Sequence, residues 1–261
     1  MKIKNYYIPD SIDEAYKIME KEEGTIIGGG AFLHLGKRNI TSAIDMDKLK
    51  LDFIKENEEN IEIGAAVTLR EIEKSDLLHK YYDDILSKTV SCIMGVQIRN
   101  MATIGGTIAG KYGFSDFLTT LLALNVQVIL YKKGRISLEE YLDENIEKDI
   151  LLRAEIKKSD INAKYLNLKN TSTDFSILNA AVVNKDGKCR IAVGARPGAA
   201  KLCYKAMEYI DKEGINQESV KKSGEIASEE LKFGSDIRSS AEYRMELCQV
   251  LVKRALLEVE K

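Results

Sequence analysis

Apolar positions along this chain fall into short periodic runs broken by glycine and by charge. Ile12, Ala15, Tyr16 and Met19 recur at helical spacing, so the segment after Ser11 is expected to form a short helix with one apolar face. The chain then turns at Gly24 into Thr25-Ile26-Ile27, which reads as a strand with three glycines at its end. Ile61-Glu62-Ile63 alternates like a half-buried strand, and Val126-Gln-Val-Ile-Leu-Tyr131 reads as another, closed by Lys132-Lys133-Gly134. Ser11 with Glu14, Thr68 with Glu71 and Ser137 with Glu140 have the spacing of capping boxes and predict helix starts. From about Ala163 the pattern changes to two alternating runs, Phe175–Val183 and Cys189–Val193, joined by Asn184-Lys-Asp-Gly187, which predicts a hairpin. Helices are expected over Lys201–Asp211, Gln217–Ser228 and Ser239–Val259. In the last, Tyr243, Leu247, Val250, Leu251 and Leu257 read as one stripe turned to the core.

Composition narrows the class. With 44% hydrophobic residues in 261, the chain can bury a sizeable core and is expected to divide into two units near residues 158–163, where Lys157-Lys-Ser-Asp160 interrupts the pattern. Its 39 basic residues are offset by 41 acidic ones, leaving no excess positive charge for a nucleic-acid backbone. The first ten residues lack an apolar stretch of signal-peptide type, and no run of about 18 apolar residues occurs. No membrane span and a cytoplasmic location are therefore expected. Cys92, Cys189, Cys203 and Cys248 are far apart and form no C-x-x-C pair, and His34 and His79 share no ligand spacing, so neither a metal site nor an iron–sulfur cluster is signalled.

The candidate chemistry lies in two glycine-rich turns about seventy residues apart, Thr25-Ile-Ile-Gly-Gly-Gly30 and Ile98-Arg-Asn-Met-Ala-Thr-Ile-Gly-Gly-Thr-Ile-Ala-Gly110. Successive glycines let backbone N–H groups approach a phosphate closely and form a concave nest. Neither turn is a P-loop: Gly30 to Gly36 encloses five residues rather than four, and Lys37 is followed by Arg38. Leu33 stands where a G-x-G-x-x-G fingerprint needs its last glycine, which disfavours a Rossmann dehydrogenase. Hydroxyls of Thr103, Thr107 and Ser115, with Asp116 as acceptor for a sugar hydroxyl, suit a diphosphate held between two loops. No nucleophile–base arrangement is visible, so redox chemistry would belong to a cofactor. Valine at Gly105 or Gly106 is expected to obstruct that approach while sparing the fold.

The segment Gly95-Val-Gln-Ile-Arg-Asn-Met-Ala-Thr-Ile-Gly-Gly-Thr-Ile-Ala109, followed by Ser115-Asp116 and Leu121-Leu-Ala-Leu124, resembles the second flavin-binding segment of the FAD subunits of molybdenum hydroxylases. These are the medium subunits of the xanthine dehydrogenase and aerobic carbon monoxide dehydrogenase group. Thr25–Gly30 with Ala43-Ile-Asp45 resembles the first segment, Ile63-Gly-Ala-Ala-Val-Thr68 with Glu71-Ile72 falls where the family repeats a similar stretch, and Asp236-Ile-Arg-Ser-Ser-Ala-Glu-Tyr-Arg244 resembles the opening of its final helix. The resemblance implies an α+β fold of the vanillyl-alcohol-oxidase type. An FAD-binding domain would occupy residues 1–160, as subdomains of about 1–52 and 53–160, and a C-terminal domain of a small antiparallel sheet with helices would occupy 161–261. It further implies that Thr25, Ile26, Ile27, Gly28, Gly29, Gly30, Ala31, Phe32 and Leu33 wrap the diphosphate and ribityl chain. Thr103, Ile104, Gly105, Gly106 and Thr107 would form the second loop, with Ser115 and Asp116 at a sugar hydroxyl and Leu151 near a flavin or adenine ring. The implied partners are a large subunit with the molybdenum cofactor and a small one with two [2Fe–2S] clusters, electrons passing through FAD to NAD⁺ or another acceptor.

Three departures accompany the resemblance. Thr107 stands where the family often has Asn or Asp, and Asn170-Thr-Ser-Thr-Asp-Phe175 lacks the family's basic residues, leaving Lys164 or Lys169 to approach the isoalloxazine. The chain also lacks the clustered cysteines of members with a four-iron cluster. A self-sufficient flavin oxidoreductase of the same fold and a scaffold that has lost its flavin are the alternative readings.

Overall fold

The computed structural model describes residues 2–21, 23–33, 39–143, 146 and 148–260. His34 and the Gly36-Lys37-Arg38 stretch lie outside them. Twelve strands are present among the described residues: β1 (Lys2–Tyr7), β2 (Gly24–Ile27), β3 (Asn39–Asp45), β4 (Ile54–Glu56), β5 (Asn60–Gly64), β6 (Gln127–Leu130), β7 (Gly134–Ser137), β8 (Leu151–Lys157), β9 (Asn162–Leu168), β10 (Leu178–Lys185), β11 (Lys188–Gly194) and β12 (Lys201–Leu202). The helices are α1 (Ile12–Lys21), α2 (Leu69–Lys74), α3 (Asp76–His79), α4 (Ile85–Ser91), α5 (Val96–Arg99), α6 (Ile104–Gly110), α7 (Asp116–Ala123), α8 (Leu138–Asp143), α9 (Tyr204–Glu213), α10 (Gln217–Glu230) and α11 (Ala241–Glu258). By their contacts the residues form two compact units. One comprises Met1–Ile72, Gly95–Gly110 and Gln127–Lys157, the other Glu73–Met94, Lys111–Val126 and Lys158–Lys261.

The first unit holds two sheets. In one, β3 lies between β1 and β2, all parallel, with α1 as the crossover that a parallel β1–β2 connection requires. Ala15 and Met19 of α1 are buried with Ile44 and Met46, the spacing expected from the sequence. The other is an antiparallel five-stranded sheet in the order β4-β5-β8-β6-β7, with Ile61, Ile63, Val128, Ala154 and Ile156 in its core. The expected caps are present: Glu14 N–H donates to Ser11 Oγ (3.2 Å), Glu140 N–H donates to Ser137 Oγ (3.0 Å), and Thr68 with Glu71 closes a full box, each N–H donating to the other's side chain (2.7 and 3.1 Å). The edge strand β1 was not foreseen, because Lys2, Lys4 and Asn5 hide its alternation.

The second unit is built on the antiparallel sheet β12-β11-β10-β9. The hairpin closes through Asp186 and Gly187 (φ 51° and 79°), a type I′ turn, with Lys185 opposite Lys188. Leu178 to Asn184 is buried throughout. Leu178, Ala180 and Val182 pack with α9, α10 and α11, while Asn179 on the opposite face accepts from Thr119 Oγ1 of the wholly buried α7 (2.7 Å). Phe175 lies outside the strand, its ring 4.1 Å from that of Phe114, and α9 starts at Tyr204 because Lys201–Leu202 pairs with β11.

Helix α11 keeps the expected stripe at Leu251, which is buried, and at Leu247 and Leu257, which pack half-buried against the core, and departs from it at two positions. Tyr243 and Val250 are 48% and 41% exposed, whereas Arg244, Cys248, Leu251, Val252, Ala255 and Leu256 are buried. Helix α10 packs so close to α11 that a Cβ on Gly224 would stand 2.6 Å from the Gln249 carbonyl oxygen. Arg244 is buried, with four hydrogen bonds for its five N–H donors: Nε donates to Ile177 O (2.8 Å), Nη1 to Gly234 O (2.6 Å) and Ser239 O (3.0 Å), and Nη2 to Asp236 Oδ1 (2.6 Å).

Candidate functional site

In the first unit, β2 ends at Ile27 and the chain turns through Gly28 and Gly29 to Gly30, whose φ of 68° suits glycine. The second glycine segment is not the loop expected from the sequence: Thr103 leads directly into α6, so Gly105 and Gly106 lie in its first turn. That turn is held against residues 65–69, where Leu69 N–H donates to Ala102 O (2.8 Å), Ile104 N–H to Val67 O (2.9 Å) and Gly105 N–H to Ala65 O (2.9 Å), and Thr68 bridges Thr103. The two turns meet along a cleft of about 430 Å³, within the range of small-molecule and cofactor sites. Ile26, Ile27, Gly28, Gly29, Thr103, Gly105, Gly106 and Leu151 line it, all expected from the sequence.

The glycines serve different purposes. A Cβ on Gly29 would overlap the Met101 carbonyl oxygen, one on Gly28 would stand 2.8 Å from Thr103 Oγ1, and one on Gly105 would stand 2.5 Å from Ala65 O. These three let the loops close on one another. Valine at Gly105 would therefore not spare the fold. Gly106 is different, since its Cβ would meet only Thr103 Oγ1, at 3.1 Å. The N–H groups of the second turn are also engaged within the chain, Gly106 donating to Thr103 Oγ1 (3.0 Å) and Thr107 to Thr103 O (2.9 Å). For the N–H groups of Gly28 and Gly29 there is no partner among the described residues. The first turn thus supplies donors and the second supplies a smooth surface. A diphosphate fits that combination, and the apolar Leu51, Ala65 and Leu151 fit the ring systems of a dinucleotide.

Several lining residues were not assigned from the sequence, among them Asp45, Asp47, Tyr141 and Asp149. The nearest signal was the Ala43-Ile-Asp45 segment. Asp45 accepts Asp47 N–H at Oδ1 (3.0 Å) and the Tyr6 hydroxyl at Oδ2. That hydrogen bond, with slight burial and the charges of Asp45 and Asp47, pushes the Tyr6 phenol above its usual pKa and keeps it a donor. Asp149 is spent on the β6–β7 turn, accepting N–H from Lys132 (3.0 Å), Lys133 (2.9 Å) and Ile150 (2.7 Å). Burial, then the Asp149 charge, raise the Tyr141 phenol.

The remaining expected residues lie elsewhere. Thr25 belongs to β2, Ala31 and Ile104 are buried, Phe32 and Leu33 are half-buried, and Thr107 Oγ1 donates to Thr103 O (2.9 Å). Ser115, Asp116 and Lys169 belong to the second unit. Ser115 Oγ caps α7 by accepting Leu118 N–H (3.2 Å). Asp116 and Lys169 are brought to each other: Lys169 Nζ lies 3.0 Å from Asp116 Oδ2 and donates to Cys92 O (2.6 Å), while Asp116 Oδ1 accepts from Ser176 Oγ (2.5 Å) and Asn179 Nδ2 (2.8 Å). Lys164 instead pairs with Glu258 at the surface (2.5 Å).

Residues 1–156 match the family described as the FAD binding domain in molybdopterin dehydrogenase, and residues 163–259 match the CO dehydrogenase flavoprotein C-terminal domain. The chain is 25% identical to the glyceraldehyde dehydrogenase medium chain of Sulfolobus acidocaldarius, over 98% of both chains. It is 26% identical to the nicotine 6-hydroxylase medium subunit of Paenarthrobacter nicotinovorans, over 97% of this chain and 96% of the other. In fold it resembles a chain of the reconstituted CO dehydrogenase from Oligotropha carboxidovorans, with a TM-score of 0.90 and 24% identity over 98% and 97% of the two chains. The chain belongs to the FAD-binding family of the molybdopterin dehydrogenases, as an FAD-binding medium subunit of the molybdenum hydroxylase type.

Proposed function

We propose that this chain is the electron-transfer subunit of a multi-subunit molybdenum hydroxylase, working in the cytoplasm. It would take electrons from the [2Fe–2S] clusters of a small partner and deliver them to NAD⁺ or another acceptor, with the molybdenum cofactor and the substrate site on a large partner. Residues 1–160 would form the FAD-binding domain and 161–261 the C-terminal domain. The observation that carries the reading is the cleft lined by Gly28 and Gly29, whose N–H groups have no partner among the described residues, together with the smooth surface at Gly106. Flavin, when bound, supplies a redox centre able to exchange one or two electrons.

The chain's own residues bind and orient. Gly28 and Gly29 would donate to the diphosphate, Thr103 Oγ1 accepts the Gly106 N–H and lies close against Gly28, and Leu51 and Leu151 would exclude water. To these the proposal adds Ser115, Asp116 and Lys169, with Lys169 rather than the surface-paired Lys164 near the isoalloxazine. The medium-chain and medium-subunit names of the relatives support assembly with further subunits.

The test is a visible spectrum of the purified chain after FAD is added and the excess removed, followed by co-purification with co-expressed candidate partners. Retained flavin absorbance and a stoichiometric complex are expected. A colourless chain overturns the cofactor assignment, and turnover of an organic substrate by the isolated flavinated chain overturns the subunit assignment.

A further inference from the structure

We propose that Asp45, steadied by Tyr6, reads the cis-diol of the adenosine ribose of the bound dinucleotide. The inference rests on the FAD reading above. Strands β2 and β3 are parallel neighbours with Ile27 opposite Asp45, so Asp45 ends its strand one strand spacing, about 4.8 Å, from where β2 gives way to Gly28. Both residues line the same cleft. The carboxyl ends of adjacent parallel strands are where nucleotides lie, and a carboxylate on the strand beside a glycine turn is placed to accept sugar hydroxyls.

The free capacity of Asp45 fits that task. A carboxylate has about four lone-pair directions. Asp47 N–H uses one on Oδ1 (3.0 Å) and the Tyr6 hydroxyl one on Oδ2, which leaves an acceptor direction on each oxygen. The ribose 2′- and 3′-hydroxyls are two donors fixed side by side on a ring, matched to two oxygens of one carboxylate. Ribityl hydroxyls sit on rotatable carbons and would have to be ordered first, at an entropic cost. Tyr6 is 54% exposed, so burial does not account for its position, while its hydroxyl reaches Asp45 from β1. Asp47 also lines the cleft, so a phosphate at this place would meet two carboxylates of like charge. Donors for the diphosphate and acceptors for the diol thus stand at the ends of neighbouring strands.

The experiment uses the full chain freed of flavin, titrated by calorimetry with FAD, with the FAD analogue carrying 2′-deoxyadenosine, and with FMN. The wild-type chain is expected to bind FAD roughly tenfold to hundredfold more tightly than the deoxy analogue, the range for a hydrogen bond to a charged group. Asp45→Ala should weaken FAD by a similar factor, abolish the preference and leave FMN unchanged. Tyr6→Phe should give a smaller loss in the same direction with an unaltered thermal midpoint. Equal wild-type affinity for FAD and its deoxy analogue overturns the proposal even if Asp45→Ala fails to fold. Parallel loss of FMN and FAD in Asp45→Ala overturns it in favour of a ribityl contact. Failure of the wild-type chain to bind FAD at all overturns the cofactor reading itself.

Discussion

Gly105 and Gly106 are adjacent, both line the cleft, and should respond oppositely to a single added methyl. At Gly105 the new Cβ would stand 2.5 Å from Ala65 O, 2.8 Å from Ala65 Cβ and 3.1 Å from the carbonyl carbon, so the loop must move. Movement also stretches the 2.9 Å bond from Gly105 N–H to Ala65 O. Overpacking of this kind costs about 1–3 kcal/mol and the weakened hydrogen bond about 1 kcal/mol more. For a chain of this size, Gly105→Ala should therefore lower the thermal midpoint by roughly 5–15 °C. At Gly106 the methyl would meet only Thr103 Oγ1, at 3.1 Å, and alanine's better helix propensity, about 1 kcal/mol, offsets that contact. Gly106→Ala should keep the midpoint within about 2 °C while its methyl, set in the cleft, weakens FAD binding severalfold. The assay is circular dichroism melting of the flavin-free chain, since bound FAD would mask the difference by mass action, followed by fluorescence titration of FAD. A Gly105→Ala chain that melts with the wild type would refute the packing argument. A Gly106→Ala chain with unaltered FAD affinity would refute the placement of the cofactor.

Arg244→Leu removes the guanidinium that joins Ile177, Gly234, Ser239 and Asp236, and should lower stability by about 3–5 kcal/mol by urea titration; a loss below 1 kcal/mol would show that the network relaxes without it. The Arg238 hydrogen bond, with help from the Phe175 N–H, holds the Asp174 carboxyl below its usual pKa. A depressed carboxyl stabilises the fold above about pH 4 and stops doing so as pH falls through the lowered value, so Arg238→Gln should cost stability at pH 7 and progressively less as the pH is taken down below 4. Equal cost across that range would assign Arg238 a packing role on the Phe175 ring instead. Burial, then the charge of Asp211, pushes the Cys189 thiol to about 12, and burial, then Glu230, does the same at Cys248; burial also raises Cys203 well up. A thiol reagent at pH 8 should therefore modify only the half-exposed Cys92 in the native chain and all four cysteines after denaturation. Rapid reaction of two or more native thiols would contradict this burial pattern.

What could be read from the sequence was local. The strand into Gly28, the Thr68–Glu71 box and the Asp186-Gly187 turn each declare themselves within a few residues, and the structure contains all three. What stayed hidden depends on a distant neighbour. Helix α11 buries Arg244, Cys248 and Ala255 but exposes Tyr243 and Val250, and Arg244 is drawn in by distant acceptors, the carbonyls of Ile177, Gly234 and Ser239 and the carboxylate of Asp236. The glycines of the second turn were legible as a cluster. That Gly105 serves the fit of one loop against another follows only from Ala65, forty residues earlier in the chain. Asp45 escaped assignment because an acid at a strand end carries no signal until its parallel neighbour is seen to end in glycines.

The interleaving of the two units has a consequence for how the protein is made. Helix α7, buried along its whole length, packs on β10 and β11, which are translated more than fifty residues later. At roughly 5–20 residues per second the ribosome leaves Phe117, Leu118, Leu121 and Leu122 without those strands for several seconds. A nascent chain stalled near residue 156, or a fragment cut there, would contain every residue of the first unit except Lys157 and still present an uncovered apolar helix. Attempts to express residues 1–156 alone should therefore yield aggregates rather than a free-standing flavin domain.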